Sequence, residues 1–273
     1  AAINEADASV TSLTLSAGGG NITLGGAVDG AFGLTVNSTG TVDVNGVIGG
    51  SAPITSLTSN TVGTLDLGAD VSVDGAVDVN DAVTLSSTVT LTQTTSASDT
   101  VDFGSTVNGA QNLTLAAAGA TVFNGTVGNS APIGTGTGSG LTINSTGTTA
   151  FNDTLQTASG ITQADGAGAV TFKGDVTTAN AGDATTLNGN VVLDGLTFDG
   201  GGNVTFGNAA SDTLTISTAA VTVKTPNKTL TIPSNVTIND GLVLTLGAGA
   251  ATAISASGTI SGQSSANSDL VVN

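Results

Sequence analysis

Apolar and polar residues alternate through most of this chain. Runs such as SLTLS (12–16), GLTVN (33–37), TVDVNG (41–46), VSVDGAVDVN (71–80), AVTLSSTVTLTQT (82–94), LTIN (141–144), TLTIS (213–217), AVTVK (220–224) and TLTIP (229–233) have a period of two. That period puts successive side chains on opposite sides of a pleated strand, so it predicts β-strands with one buried and one wet side. Gly, Asn-Gly, Asp-Gly and Pro break the runs about every eight to twelve residues, as turns between short strands do. No window carries an i, i+3, i+4, i+7 apolar stripe, so essentially no helix is expected.

The chain also repeats itself. Residues 22–54 align without a gap on residues 101–133, a shift of 79, and 14 of the 33 positions are identical. NGVIGGSAPI (45–54) and NGTVGNSAPI (124–133) are the clearest part of the match. The identities are Gly, small residues and strand-forming apolar residues, which is the vocabulary of a scaffold. Weaker echoes of VxFG at Val170–Gly174 and Val204–Gly207 indicate that the recurring unit is shorter than 79 residues. The two loops are expected to leave the scaffold at equivalent corners. There Asn45-Gly46 and Asn124-Gly125 turn the chain, and Pro53 and Pro132 end strand pairing. Loops often carry function, so these are also candidates for a binding surface repeated along one side.

Composition separates the possible all-β architectures. Among 273 residues there are 40 Gly and 7 Phe, and no Cys, Met, Trp or Tyr. Small and β-branched side chains fill a thin, regular core well and a thick, irregular one badly. Tandem sandwiches of about 100 residues need the thick core. A β-solenoid needs only a narrow column, with one strand stacked on its equivalent in each successive turn. The chain is therefore read as one elongated β-solenoid over residues 1–273. With about 20–25 residues per turn it would have about a dozen turns and a length of roughly 55–60 Å.

Charge narrows the partners. Three Lys against 20 acidic residues give −17, so nucleic acid is not expected to bind. The longest apolar run, GLVLTLGAGAATAI (241–254), is too short and too rich in Gly and Ala to span a bilayer as a helix, so no membrane insertion is expected. An acidic surface rich in Ser, Thr and Asn suits a secreted protein, and the opening AAINEADASV fits the mature end left by signal-peptide cleavage.

The pattern VTFxGTVxGAxxLTVxxxGxxxxNGxVGxxxPI resembles the repeat region of large bacterial surface proteins of the filamentous haemagglutinin and autotransporter-passenger kind. The resemblance covers most of residues 10–260. It implies a right-handed parallel β-helix, an extracellular or cell-surface location, and a filament-forming or adhesive role.

Candidate chemistry is sparse. Without His or Cys there is no Ser-His-Asp triad, Cys-His pair or thiolate metal site, and no GK[ST] follows GTGTGSG (134–140). Paired carboxylates, Asp194 with Asp199 or Asp78 with Asp81, lack the aromatic and Arg partners of a carbohydrate-cleaving site. No enzyme is expected. Asp70, Asp74, Asp78 and Asp81 lie close in sequence and are candidate calcium ligands; an unbroken strand would place the first three on one side. Nine N-x-[ST] sequons begin at Asn21, Asn37, Asn112, Asn124, Asn144, Asn152, Asn203, Asn227 and Asn235. Neither end offers an amphipathic capping helix: AAINEADASVTSLTLS is polar, and GQSSANSDLVVN finishes on a strand-like LVVN. Uncapped solenoid ends recruit other strands. The function expected is therefore a structural subunit of an extracellular filament or surface coat that pairs end to end with itself. The alternative is an adhesin segment whose loops attach to neighbouring cells, host or surface glycans.

Overall fold

The computed structural model describes residues 3–4, 9–59, 62–94, 97–248, 253–263 and 267–273. These residues contain no helix and form a β-solenoid of about eleven turns. Both expected ends are only partly covered: residues 1–2 and 5–8 of the polar opening, and 264–266 near the close, lie outside the described residues.

Each coil has three short strands separated by corners, and every strand pairs in parallel with its counterparts in the coils before and after. Face I is a twelve-stranded sheet from Ser12–Gly18 to Ile260–Gly262. Face II is a five-stranded sheet from Ile22–Leu24 to Val107–Asn108 and a six-stranded sheet from Leu155–Thr157 to Asp269–Val272, joined through the bridges Val107↔Val127↔Leu155. Face III is a nine-stranded sheet from Val71–Val73 to Ala253–Ala256. The bridges Val28↔Ile48↔Val71 extend it to the pair formed by Ile3–Asn4 and Val28–Asp29. At about 4.8 Å per strand, the eleven steps along face I make a rod about 53 Å long.

The period of two decides what goes inside. In strand after strand the burial pattern alternates, as in Val89–Gln93, where Val89, Leu91 and Gln93 point inward and Thr90 and Thr92 outward. Because the strands are in register, each inward residue sits on its counterpart one coil away. Phe103, Phe123, Phe151 and Phe172 pair successively along face I. Their rings stack nearly parallel, with centroids 4.7, 4.8 and 5.4 Å apart. Phe198 and Phe206, on faces II and III, continue the column edge to face at 6.0 and 5.2 Å. Six aromatic rings thus fill the middle of a core whose other apolar members are Phe32 and Val, Ile, Leu and Ala side chains. Each ring pair adds about 0.5–1.5 kcal/mol beyond simple burial.

The two inward glutamines sit at strand ends and bond to corner backbone, whereas the buried hydroxyls of Thr121, Thr149 and Thr225 make no hydrogen bond. The Gln93 Nε2 donates to the Gly75 carbonyl at 2.9 Å, and its Oε1 accepts from the Gly119 N–H at 2.8 Å. Gln163 does the same between Gly168 and Gly189 at 2.8 and 3.1 Å. These bonds satisfy backbone groups that the turning chain removes from the ladders.

The 79-residue repeat also acquires a geometric meaning. From Ile22–Leu24 to Val101–Phe103 the chain advances eleven strand positions, counting Ile48 as one; at three per coil that is three and two-thirds coils. Equivalent residues therefore lie on different faces: Ile22–Leu24 is on face II and Val101–Phe103 on face I. The unit that recurs is one strand with its corner, about seven residues, rather than a whole coil.

Replacing Phe151 with Ala removes the middle of the parallel stack and is expected to cost about 3–5 kcal/mol. In a quasi-one-dimensional rod the loss stays local. Amide hydrogen exchange should therefore accelerate in coils containing residues 121–193 and change little near residues 33–67. Uniform acceleration, or none, would show that the aromatic column does not hold these coils.

Candidate functional site

The two repeated loops are the most regular irregularity on the rod. In the first, Ile48 and Ile54 bridge to Val71 and Val73; in the second, Val127 and Ile133 bridge to Leu155 and Thr157. Six residues thus span what two span in the next coil, and the four extra residues bulge outward. The residue below closes each bulge: Asp29 Oδ1 accepts the Ser51 and Ala52 N–H groups at 2.8 and 3.4 Å, and Asn108 Oδ1 accepts those of Ser130 and Ala131 at 2.9 and 3.4 Å. The Gly30 and Gly109 N–H groups, in turn, donate to Ala52 and Ala131, each at 3.1 Å.

Gly49 and Gly128 open the bulges at φ of +71° and +76°. A Cβ there would stand 2.1 Å from the Ser72 carbonyl oxygen and 2.0 Å from that of Gln156. Both the positive φ and the close approach require glycine. Asn45 and Asn124 are exposed ahead of the loops, Gly46 and Gly125 pack on the backbone of Gly26 and Ser105, and Pro53 and Pro132 are half-buried at the return. The loops do not, however, share a corner: the first leaves face III and the second face II. The two-thirds-coil remainder of the repeat turns one loop away from the other, so they do not form a single one-sided surface.

The aspartates expected to bind calcium are also spread out. The run 70–81 is not one strand: it makes Val71–Val73 on face III, a corner, and Val77–Val79 on face I. Asp70 and Asp74 flank the first strand, and Asp78 lies exposed on the second. Asp81 is 1% exposed at the next corner. Each has a local partner. Asp70 Oδ1 accepts the Thr90 N–H at 2.7 Å, Asp74 accepts the Thr94 hydroxyl, Asp78 accepts the Asn80 amide at 3.0 Å, and Asp81 accepts the Ser59 hydroxyl and the Gly63 N–H at 2.8 Å. Among the described residues no three His, Cys, Asp or Glu side chains converge as a metal site. The other carboxylate pair is likewise separated. Asp194 accepts the Thr218 N–H at 3.1 Å and also its hydroxyl, while Asp199 lies beside Lys224 in the face II register. No pocket is found among the described residues.

What the acidic and amide side chains do instead is recurrent. Oδ1 of Asn21, Asp70, Asn112, Asp175, Asn190, Asn203 and Asn235 accepts the backbone N–H of Thr41, Thr90, Thr135, Thr197, Thr213, Thr229 and Thr259, at 2.7–3.1 Å. Each bond joins a corner to the next coil, at or beside a strand start except at Thr135, which lies in the loop before Ser139–Ile143. It satisfies a backbone donor that the turn would otherwise leave unpaired. Sequons at Asn21, Asn112, Asn203 and Asn235 are thus coil-to-coil ties. At Asn124, Asn152 and Asn235 the Nδ2 also donates, to Asp102 at 2.7 Å, Asn124 at 2.9 Å and the Ala210 carbonyl at 2.6 Å.

One surface array has no counterpart in the sequence expectations. Along face III, Thr90, Thr114, Thr142, Thr162, Thr186, Thr205 and Thr231 pair in unbroken register, all half-exposed. The signal in the sequence is the middle Thr of VTL, LTL, LTI, ITQ, TTL and VTF. Insertions between coils hide the fact that these positions share a face. No protein-family model, curated protein or solved structure matches the chain.

Substitution of Gly49 or Gly128 by Ala should destabilise its coil by more than about 1 kcal/mol, the least that a strained φ costs, and raise protease sensitivity at that loop; equal protease resistance would contradict the geometry. Asp70→Asn together with Asp74→Asn is expected to leave calorimetric calcium titration unchanged, since these side chains tie coils. Loss of a specific binding isotherm in the double variant would restore the metal site.

Proposed function

We propose that this chain is a non-enzymatic structural rod of an extracellular filament or cell-surface coat, lengthened by strand pairing between coils of successive copies. The last coil carries this reading. Ala253–Ala256, Ile260–Gly262 and Asp269–Val272 are each the outermost strand of their face. Ile260 is 39% exposed, Leu270 38% and Val272 58%, although they continue columns whose preceding members, Val236, Leu244 and Leu246, are at most 1% exposed. Outermost strands and part-exposed apolar side chains at this rim suit a further coil of the same cross-section. Strands at the opposite end, Ile3–Asn4, Ser12–Gly18 and Ile22–Leu24, are likewise outermost on their faces. Surface chemistry supports the location: the strand faces are rich in Thr, and −17 keeps rods apart except where they fit. The hydrogen-bonded loops 49–53 and 128–132 favour a second reading, display of attachment loops, with each loop acting alone because they point from different faces.

Negative-stain electron microscopy at neutral pH tests the first reading. The wild type should give fibres of uniform width, and Leu270→Lys with Val272→Lys should give separate short rods. Short monodisperse rods from the wild type at every concentration would overturn end-to-end assembly and leave loop display as the better account.

A further inference from the structure

We propose that face III is a self-association surface on which a second copy of this chain lies side by side with the first, threonine column against threonine column. The contact is lateral and is independent of any pairing at the rod ends.

Charge singles out this face. The nine strands of the face III sheet contain no Asp, Glu or Lys. Face I carries Asp78 and Asp102 on its strands, and face II carries Asp43, Asp66, Asp199 and Asp269, with Lys224 beside Asp199. On a chain of net charge −17, this is the one strand face where two copies meet without pressing carboxylates together. Desolvating a like-charged pair would oppose the other two faces.

Spacing selects the occupant. The hydroxyl and methyl of each column threonine repeat once per coil, about 4.8 Å. A partner whose own repeat differed by about 0.4 Å would slip by about half a coil over the six steps from Thr90 to Thr231. A second copy has the same repeat by construction, so methyls and hydroxyls stay complementary along the whole column. The flatness helps: within the nine strands the outward residues are Ser, Thr and Ala, with Thr142 Oγ1 held by Ser139 at 3.2 Å.

Size sets the strength. Eight steps of about 4.8 Å by a width of about 12 Å give roughly 450 Å² per copy, below the span of stable pairwise interfaces. The pair is therefore weak between single rods and cumulative between longer ones. Asp70, Asp74, Asp99, Asp165 and Asp183 border the face, so raising ionic strength from about 10 to about 100 mM, which shortens the screening length from about 30 to about 10 Å, strengthens the contact.

Sedimentation velocity and small-angle scattering over a concentration series, at both salt levels, test the proposal. The expected result is a dimer of doubled cross-section and unchanged length, favoured by salt. It should be lost in Thr162→Glu with Thr205→Glu, whose charges lie two coils apart and so are not register partners, and retained in the face I control Thr171→Glu, with all variants keeping wild-type circular dichroism and melting. A doubled length at unchanged cross-section reports end pairing and not this surface. A wild type that stays single at all concentrations and salts overturns the proposal, as does a lateral dimer that survives both face III charges. A soluble neutral glucan is the competing probe. If it binds the wild type, fails on the doubly charged variant and no lateral dimer forms, the face belongs to a glycan and the second copy is ruled out.

Discussion

Everything in this rod depends on one constraint, the parallel hydrogen-bonded register that sets each strand directly on its counterpart one coil away. Once that ladder is fixed, a side chain has little choice of neighbour: it meets the residue at the same position above and below. Inward, this favours like on like, and Phe103, Phe123, Phe151 and Phe172 stack at 4.7–5.4 Å because the backbone spacing almost equals the preferred separation of offset aromatic rings. Outward, the same rule builds the threonine column of face III. It also has a cost. Asp43 pairs with Asp66 and Asp78 with Asp102, so like charges are held one strand apart on faces II and I.

Corners are where such a fold fails, because each one interrupts the ladder and strands backbone donors. This chain answers with short polar side chains rather than with more backbone. Asn and Asp at the corners accept a Thr N–H one coil away, and Gln93 and Gln163 reach across the inside of the turn. The composition then follows from structure: abundant Asn, Asp and Thr bind coil to coil, and the large negative charge is partly a by-product of using Asp where Asn would serve. Asp29 and Asn108 show the equivalence directly, since each closes the same loop with the same oxygen.

Much of this was legible in the sequence. The period of two identified the strands and their buried sides, and the absence of large irregular side chains pointed to a thin stacked core. The missing quantity was phase around the axis. Corner lengths vary, with insertions at 128–138 and 179–184 among others, so nothing in the linear pattern says which face a strand occupies. That is why NGVIGGSAPI and NGTVGNSAPI read as equivalent corners but lie one face apart, and why Asp70, Asp74 and Asp78 read as one row although a corner after Asp74 divides them. Phenylalanine and threonine columns were hidden for the same reason: their members are obvious only after register brings together residues 20–28 positions apart.

Register is therefore the claim to test, and the absence of native cysteine makes the test clean. Thr142 and Thr162 are paired neighbours on face III, whereas Thr171 pairs with Ala150 on face I. Introducing Thr142→Cys with Thr162→Cys should give a disulfide that forms readily under mild oxidation, since adjacent strands hold Cα atoms about 4.8 Å apart, within the range a disulfide spans. Thr142→Cys with Thr171→Cys should remain reduced within the same molecule. Ready closure of the second pair and not the first would contradict the three-faced coil and the register on which it rests.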